Sequence, residues 1–209
     1  MKVRLSFMGF KDLKTAFIVE VANRLFLQRG IRDVTIKDIA NEAEIGEATI
    51  YRHFSKKQNI VLASALSLKE KVFQGYFDLS KGVTGFEKLS IFYNSYLNIF
   101  HHSPEYFYFI NEFDAYMCME ENVSLEEYEK EVDSFKTPYL EAYQLGLKDK
   151  TIRKVDSIET FYLSSTHALL ELCKKMSANR VLLKQDRNNQ KANEIECLIK
   201  IILNSLRDS

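Results

Sequence analysis

The feature that most restricts the fold of this sequence is a pair of short helical segments within residues 35–57. Residues 35–38 have the pattern of a capping box, and apolar residues then recur at helical spacing as far as residue 43. A three-residue joint, 44–46, leads to a second short segment over residues 47–53. Two short helices joined by so tight a turn, behind a longer first helix, predict a helix-turn-helix arrangement.

Helical periodicity continues along the rest of the chain, which has only 7 Gly and 2 Pro in 209 residues. So few breakers, with little alternating β-branched pattern, predict an all-α protein of about nine helices. Gly30 is expected to end the first helix and Pro138 to kink or break the seventh, and a polar stretch, residues 184–190, precedes the last. The predicted helices are 12–29, 35–43, 47–53, 55–79, 84–101, 103–119, 124–147, 156–178 and 191–207.

Several classes of protein and site are disfavoured by the composition. The three cysteines are widely spaced and form no C-x-x-C motif, which disfavours a disulfide framework or zinc site and is typical of a cytoplasmic protein. No apolar run approaches the roughly 20 residues of a membrane span, and the N-terminus lacks the pattern of a signal peptide. The histidines and Cys118 have no ligand spacing, so we predict no metal and no cofactor. The sequence also lacks G-x-S-x-G, H-E-x-x-H and a Gly-rich phosphate loop, so we do not expect an enzyme.

Charge is distributed unevenly along a chain whose formal net charge is zero. Residues 1–60 contain 11 Lys/Arg and 7 Asp/Glu, and the remainder contains 18 Lys/Arg and 22 Asp/Glu. This split is compatible with a small basic module attached to an acidic body.

The second short helix carries many side chains that can contact a partner. Ile50 and Phe54 are four residues apart and are expected to anchor this helix inward. The outward side chains suit DNA, because hydroxyl and positive groups bind phosphate oxygens while Arg and Thr can read base edges. The predicted DNA-contacting residues are Thr35, Glu47, Ala48, Thr49, Tyr51, Arg52, His53 and Lys57.

Residues 17–63 closely resemble the DNA-binding domain of TetR-type transcriptional regulators, through F26-x-x-x-G30, T35-I-K-D-I-A40, E44-I-G46 and T49-I-Y-R-H-F54-S-x-K57. The resemblance implies a DNA-binding domain in residues 1–54 and a helical effector-binding and dimerisation domain in residues 55–209. It also implies a homodimer that binds a palindromic operator in double-stranded DNA. By position, Ala48 and Arg52 match residues that often face bases, and the phosphate-contacting positions are matched by Thr35, Thr49, Tyr51, His53 and Lys57.

Two positions depart from the commonest pattern of that family. Gly46 stands where a Ser N-cap is frequent, and Glu47 stands where Lys is frequent. A Glu here can accept a hydrogen bond from cytosine N4 or remain in water. The departure therefore affects the expected operator sequence rather than DNA binding itself.

The region from Phe92 to Tyr116 holds ten aromatic residues in 25 positions. Core packing accounts for most of them, but ligand pockets are also apolar and aromatic with a few polar groups. A carboxylate among aromatics would suit a planar cation by charge and cation–π attraction. The pocket residues of this hypothesis are Tyr93, Tyr96, Phe100, Phe109, Glu112, Phe113 and Tyr116.

The last two predicted helices carry wide apolar stripes, with small residues that permit close crossing. The resemblance favours a four-helix dimer interface there, although both helices could instead pack internally. The predicted interface residues are Phe161, Ser164, Ala168, Leu172, Ile195, Leu198, Ile202 and Leu206.

These features predict a ligand-responsive, DNA-binding transcriptional regulator. A repressor is favoured, released by a small hydrophobic or aromatic effector that is cationic in one version of the hypothesis. The alternative is a cytosolic helical enzyme or interaction module with a helix-turn-helix-like corner. Burial of Tyr51, Arg52 and Lys57 against the body would favour that alternative, because buried side chains cannot reach DNA.

Overall fold

The structure is a computed structural model that describes residues 10–120, 124–178 and 191–208. Within these ranges every extended element is helical, and the only β pairing is an isolated bridge between Ile152 and Arg207. The predicted all-α fold is confirmed, whereas the predicted polar stretch 184–190 lies outside the described residues. A 3-10 turn spans Leu79–Lys81, and the helices are α1 (Phe10–Arg29), α2 (Ile36–Glu42), α3 (Glu47–His53), α4 (Lys57–Tyr76), α5 (Gly85–His102), α6 (Pro104–Met117), α7 (Glu126–Asp133), α8 (Lys136–Lys148), α9 (Ile158–Ser177) and α10 (Lys191–Leu206).

The local signals that begin and end helices act as predicted at three places. Thr35 and Thr84 each form a complete capping box, in which the threonine side chain and the acidic side chain three residues later accept reciprocal backbone hydrogen bonds. Gly30 follows α1 with φ 86°, and its N–H donates to Phe26 O at 2.9 Å. A residue with a Cβ would be strained in this left-handed conformation, so glycine is suited to end the helix.

Two predicted helix starts are displaced. The side chain of Ser157 accepts from Thr160 N and caps α9, where Asp156 was expected to do so. Helix α4 begins at Lys57, so Ser55 lies two residues before the first helical residue rather than at the cap. Both differences fall within the uncertainty of one or two residues that is usual for helix ends.

The helix predicted over residues 124–147 is two helices, α7 and α8, separated at residues 134–135. Pro138 is the third residue of α8, a position where proline is tolerated because the N–H there has no partner within the helix. Phe135 lies at the break, and its ring packs edge-on against Phe73 and Phe77 with centroid distances of 4.8 and 5.1 Å. Contacts with residues distant in sequence therefore accompany the break.

The chain divides into two compact units, and α4 and α6 contribute residues to both. Residues 10–69, 109–120, 124 and 125 form the first unit, which contains the helix-turn-helix arrangement. Its core includes Phe26, Ile50 and Phe109, and the rings of Phe26 and Phe109 lie 6.4 Å apart. The second half of α6 therefore packs within the same unit as α1.

Residues 70–108 and 126 onward form the second unit, whose core is rich in aromatic side chains. Helices α5 and α8 cross closely within it, at Gly85 and Gly146. A Cβ atom built on Gly85 would lie 2.1 Å from the backbone nitrogen of Gly146. The absence of a side chain at Gly85 is thus a requirement of this crossing.

Candidate DNA-binding surface

Helix α3 is held in place by the turn before it and by two buried anchors. Ile45 N donates to Ala40 O at 3.0 Å, and Glu44 adopts φ 53°, which lets the chain reverse direction within three residues. Ile50 is fully buried and Phe54 is 7% exposed. These contacts fix which face of the short helix remains outside.

The outward face of α3 carries most of the predicted DNA-contacting side chains. Glu47, Ala48 and Arg52 are exposed, Tyr51 is 51% exposed, and Thr49 is half-buried. Tyr51 and Arg52 are therefore accessible, contrary to what the alternative of a buried helix-turn-helix-like corner requires, whereas Lys57 is half-buried.

Thr35 is exposed at the start of α2, and its hydroxyl group is part of the capping box with Asp38. Asp38 also forms an ion pair with Arg29 at 3.4 Å. Hydrogen bonds from the side chain and backbone of Thr35, followed by the charge of Arg29, hold the pKa of Asp38 below its ordinary value. The carboxylate that stabilises α2 is therefore already paired within the unit.

His53 ends α3 and is joined to α1 by a side-chain hydrogen bond. Its Nδ1 atom lies 2.8 Å from Thr15 Oγ1. His53 is half-buried, and this hydrogen bond restrains the orientation of its ring.

Lys57 lies at the start of α4, where the sequence predicts a phosphate contact. Its Nζ atom donates to Ile31 O at 2.5 Å and lies 5.3 Å from the centroid of the Tyr116 ring. Burial lowers the pKa of Lys57, although the negative charges of Asp33, Asp38 and Glu120 oppose this effect. The ammonium group is thus already bound to the turn between α1 and α2.

Two further cations border this region and were not among the predicted contacts. Lys37 on α2 and Lys56 immediately before α4 are both exposed. Their sequence signal is only a positive charge near the predicted motif, which does not separate a DNA contact from an ordinary surface lysine.

The seven aromatic and acidic residues of the predicted ligand pocket are distributed over both units. Tyr93, Tyr96 and Phe100 belong to the second unit. The other four belong to the first unit, where Phe109 and Phe113 are buried in its core: Phe109, Glu112, Phe113 and Tyr116. The carboxylate of Glu112 therefore belongs to a different unit from Tyr93, Tyr96 and Phe100.

A buried cluster of hydroxyl groups lies within the aromatic core of the second unit. Tyr93 Oη is 2.9 Å from Tyr139 Oη and 2.7 Å from Ser165 Oγ. Burial raises the pKa of Tyr93 to about 12, while the hydrogen bonds with Ser165 and Tyr139 act in the opposite direction. Tyr139 and Ser165 were not predicted, because their partners lie 46 and 72 residues away in sequence.

The second unit also has an open groove of about 680 Å³ along the outer side of α5. Its polar side chains recur every four residues on this helix, at Ser90, Asn94, Asn98 and His102. The remaining lining residues are Gly75, Tyr76, Asp78, Lys81 and Ile91.

The predicted dimer residues fall into two groups by burial. Ser164 and Ala168 on α9 are exposed, and Phe161, Leu172 and Leu198 are half-buried. Ile195, Ile202 and Leu206 on α10 have exposures of 0%, 7% and 0%, because they fill the core of their own unit. This corrects the predicted seam on α10, whose outward residues include Cys197 and Ile201 instead.

Membrane spans and metal sites are two further features that bear on function in residues 10–120, 124–178 and 191–208. No helix in these ranges is long and apolar enough to cross a membrane. In the same ranges, no three His, Cys, Asp or Glu side chains come together in an arrangement suited to a metal ion.

Comparison with known proteins relates the helix-turn-helix region to one family. Residues 18–64 match the TetR_N model, described as bacterial regulatory proteins of the tetR family. Over 90 residues the chain is 30% identical to the transcriptional repressor KstR2 of Mycobacterium tuberculosis, covering 42% of this chain and 45% of that protein. Over 46 residues it is 44% identical to the transcriptional regulator YvkB of Bacillus subtilis, covering 22% and 24%. The matches thus span less than half the length of these relatives.

Similarity to solved structures extends over nearly the whole chain. A transcriptional regulator from Saccharomonospora viridis, in complex with choline, matches with a TM-score of 0.72 and 18% identity. The match covers 94% of this chain and 99% of that one. At this identity the likeness shows a shared fold.

Proposed function

The helix-turn-helix region of this chain is a DNA-binding domain of the TetR family, and from this premise we propose that the protein is a ligand-responsive transcriptional repressor. It binds a palindromic operator as a homodimer and is released by a small effector. The repressor role is supported by the similarity of its N-terminal region to KstR2.

The observation that carries this proposal is the presentation of α3. Two buried anchors hold the helix while Tyr51 and Arg52 remain accessible on its outer face. A recognition helix needs this arrangement, because it must enter the major groove while staying attached to its domain. The proposed DNA contacts are Thr35, Glu47, Ala48, Thr49, Tyr51, Arg52, His53 and Lys57.

The proposed dimer interface uses the outward faces of α9 and α10. Leu163 and Ile201 are 46% and 61% exposed, and Ser164 and Ala168 add small exposed residues on α9. Large apolar side chains beside small ones favour close packing of paired helices. Homodimerisation would place two recognition helices one turn of DNA apart, about 34–36 Å.

The proposed effector is a small hydrophobic or aromatic molecule, cationic in one version of the proposal, and the aromatic side chains of the second unit support this class. Tyr93, Tyr139 and Phe92 lie together there, with ring centroids 5.0–5.9 Å apart. Aromatic faces attract quaternary ammonium groups, and the S. viridis regulator of similar fold was solved with choline. Bound effector lowers operator affinity to the extent that it prefers the conformation that does not bind DNA.

DNA binding is tested by fluorescence anisotropy with duplex DNA at increasing salt concentration. The logarithm of the binding constant should fall linearly with the logarithm of the salt concentration, because phosphate contacts release counterions. Arg52→Ala should weaken binding. The matched control is Lys148→Ala, which removes an exposed lysine at the end of α8 and should leave the affinity unchanged. Equal affinities for wild type and Arg52→Ala would contradict the proposed role of α3.

The effector is tested by adding choline, and separately the aromatic cation tetraphenylphosphonium, to the protein–DNA complex. Release of DNA at saturating cation is the expected result. Unchanged anisotropy with both compounds, and no binding of either by calorimetry, would exclude the cationic class and leave DNA binding untouched.

A further inference from the structure

We infer that Glu47 is a specificity-determining residue, which accepts a hydrogen bond from the exocyclic amine of a cytosine in each operator half-site. This inference rests on the proposed DNA-binding function and deepens it by naming one base. It follows from the position of the carboxylate, the lack of a partner for it, and the chemistry of the major groove.

The carboxylate of Glu47 is exposed at the first residue of α3, one turn before the buried anchor Ile50 and at the end from which a recognition helix contacts base edges. Its neighbours one turn along the same helix are Ile50 and Tyr51, neither of which carries a positive charge. The preceding turn offers Ala43 and Glu44, which likewise supply no cation. No side-chain cation one turn away therefore pairs with Glu47, and the partial positive charge at the N-terminus of α3 is its local electrostatic support.

Tertiary structure does not neutralise this carboxylate either. Within residues 10–120, 124–178 and 191–208, no hydrogen bond or ion pair involves the Glu47 side chain. Two other acidic residues of the same arrangement are paired: Asp38 with Thr35 and Arg29, and Glu42 with Arg24 at 2.7 Å. Glu47 differs from them because it retains its full capacity to accept hydrogen bonds from a partner.

An unpaired carboxylate on a DNA-binding face is unfavourable unless the DNA supplies a donor, because phosphates repel it. The major groove presents donors at cytosine N4 and adenine N6, and Glu typically accepts from cytosine N4. Adenine also presents its N7 acceptor beside the amine, which disfavours a carboxylate there. Cytosine is therefore the base that best compensates the charge of Glu47.

The test is selection of bound sequences from a random duplex library by the full chain and three variants. Wild type should enrich a C·G pair at one position of each half-site, and changing that pair should lower affinity about 5- to 150-fold. Glu47→Ala should lose the preference at that position and bind non-specific DNA more tightly, since a repulsive charge is removed. Glu47→Gln should prefer adenine, because an amide can both donate to N7 and accept from N6.

Glu20→Gln is the matched control, because it removes an exposed carboxylate from α1 and should enrich the wild-type sequence. Thermal midpoints within about 1 °C of wild type would show that the variants are folded, as expected for exposed side chains. Identical enriched sequences for wild type, Glu47→Ala and Glu47→Gln would overturn the inference and leave the proposed function standing. Failure of wild type to enrich any sequence would overturn the proposed function, and this inference with it.

Discussion

Substitution of Gly85 by alanine tests the close crossing of α5 and α8. The added Cβ atom would lie 2.1 Å from Gly146 N, 2.3 Å from Gly146 Cα and 2.5 Å from Ala142 O. All three atoms belong to the backbone, so no side-chain rotation relieves the overlap. The helices must instead move apart by about 1 Å or more to restore an ordinary contact.

Overpacking of this kind lowers the free energy of unfolding by about 1–3 kcal/mol. Because every clashing atom belongs to the backbone, Gly85→Ala should lie toward the upper end of this range. A small gain offsets this cost, because alanine favours helix over glycine by at most about 1 kcal/mol. The expected net loss is about 2 kcal/mol, which lowers the thermal midpoint by about 4–8 °C for a protein of this size.

The assay is thermal unfolding followed by circular dichroism, with Gly75→Ala as the matched control. Gly75 lies near the end of α4, and a Cβ atom there would meet nothing within 4 Å. Gly75→Ala should therefore leave the midpoint unchanged or raise it slightly. A Gly85→Ala midpoint within about 1 °C of wild type would refute the close crossing.

Three further predictions concern single side chains. Lys57→Ala should lower the free energy of unfolding by about 1 kcal/mol, because Ile31 O loses its hydrogen bond, whereas Lys56→Ala should leave it unchanged. Urea unfolding measures both variants, and equal midpoints for the two would contradict the expectation. Asp38 has a lowered pKa, so it contributes stability above pH about 4 that is lost as the pH falls through that lowered pKa. Asp38→Asn should therefore reduce the acid-induced drop in the urea midpoint, and an unchanged pH profile would exclude this role. Tyr93→Phe should cost about 1–2 kcal/mol through lost hydrogen bonds with Tyr139 and Ser165, while the exposed Tyr51→Phe should unfold like wild type in the same assay.

The parts of the fold predicted correctly depend on interactions between residues close in sequence. The capping box of Thr35 and the end of α1 at Gly30 each involve groups within four residues of one another. The helix-turn-helix arrangement and the burial of Ile50 likewise follow from helical spacing within about 20 residues.

The parts that sequence did not predict depend on contacts between distant residues. The hydrogen bond from Lys57 to Ile31 O was not predicted, because the two residues lie 26 positions apart in sequence. The ten aromatic residues between Phe92 and Tyr116 are close together in sequence, but those in the second half of α6 pack in the first unit. Ile195 and Leu206 have the spacing of a helix-pairing seam, and spacing alone does not tell whether an apolar stripe faces its own core or another molecule.

The hydrogen bonds made by Thr35, His53 and Lys57 within the first unit would affect the entropy of the proposed operator binding. Restricting a lysine side chain to one rotamer costs about 1.5–2 kcal/mol, and shorter side chains cost less. Folding has already restricted these side chains through Asp38, Thr15 and the carbonyl of Ile31. In the proposed complex, part of the ordering of these side chains would therefore precede DNA binding, and the loss of conformational freedom on association would be correspondingly smaller.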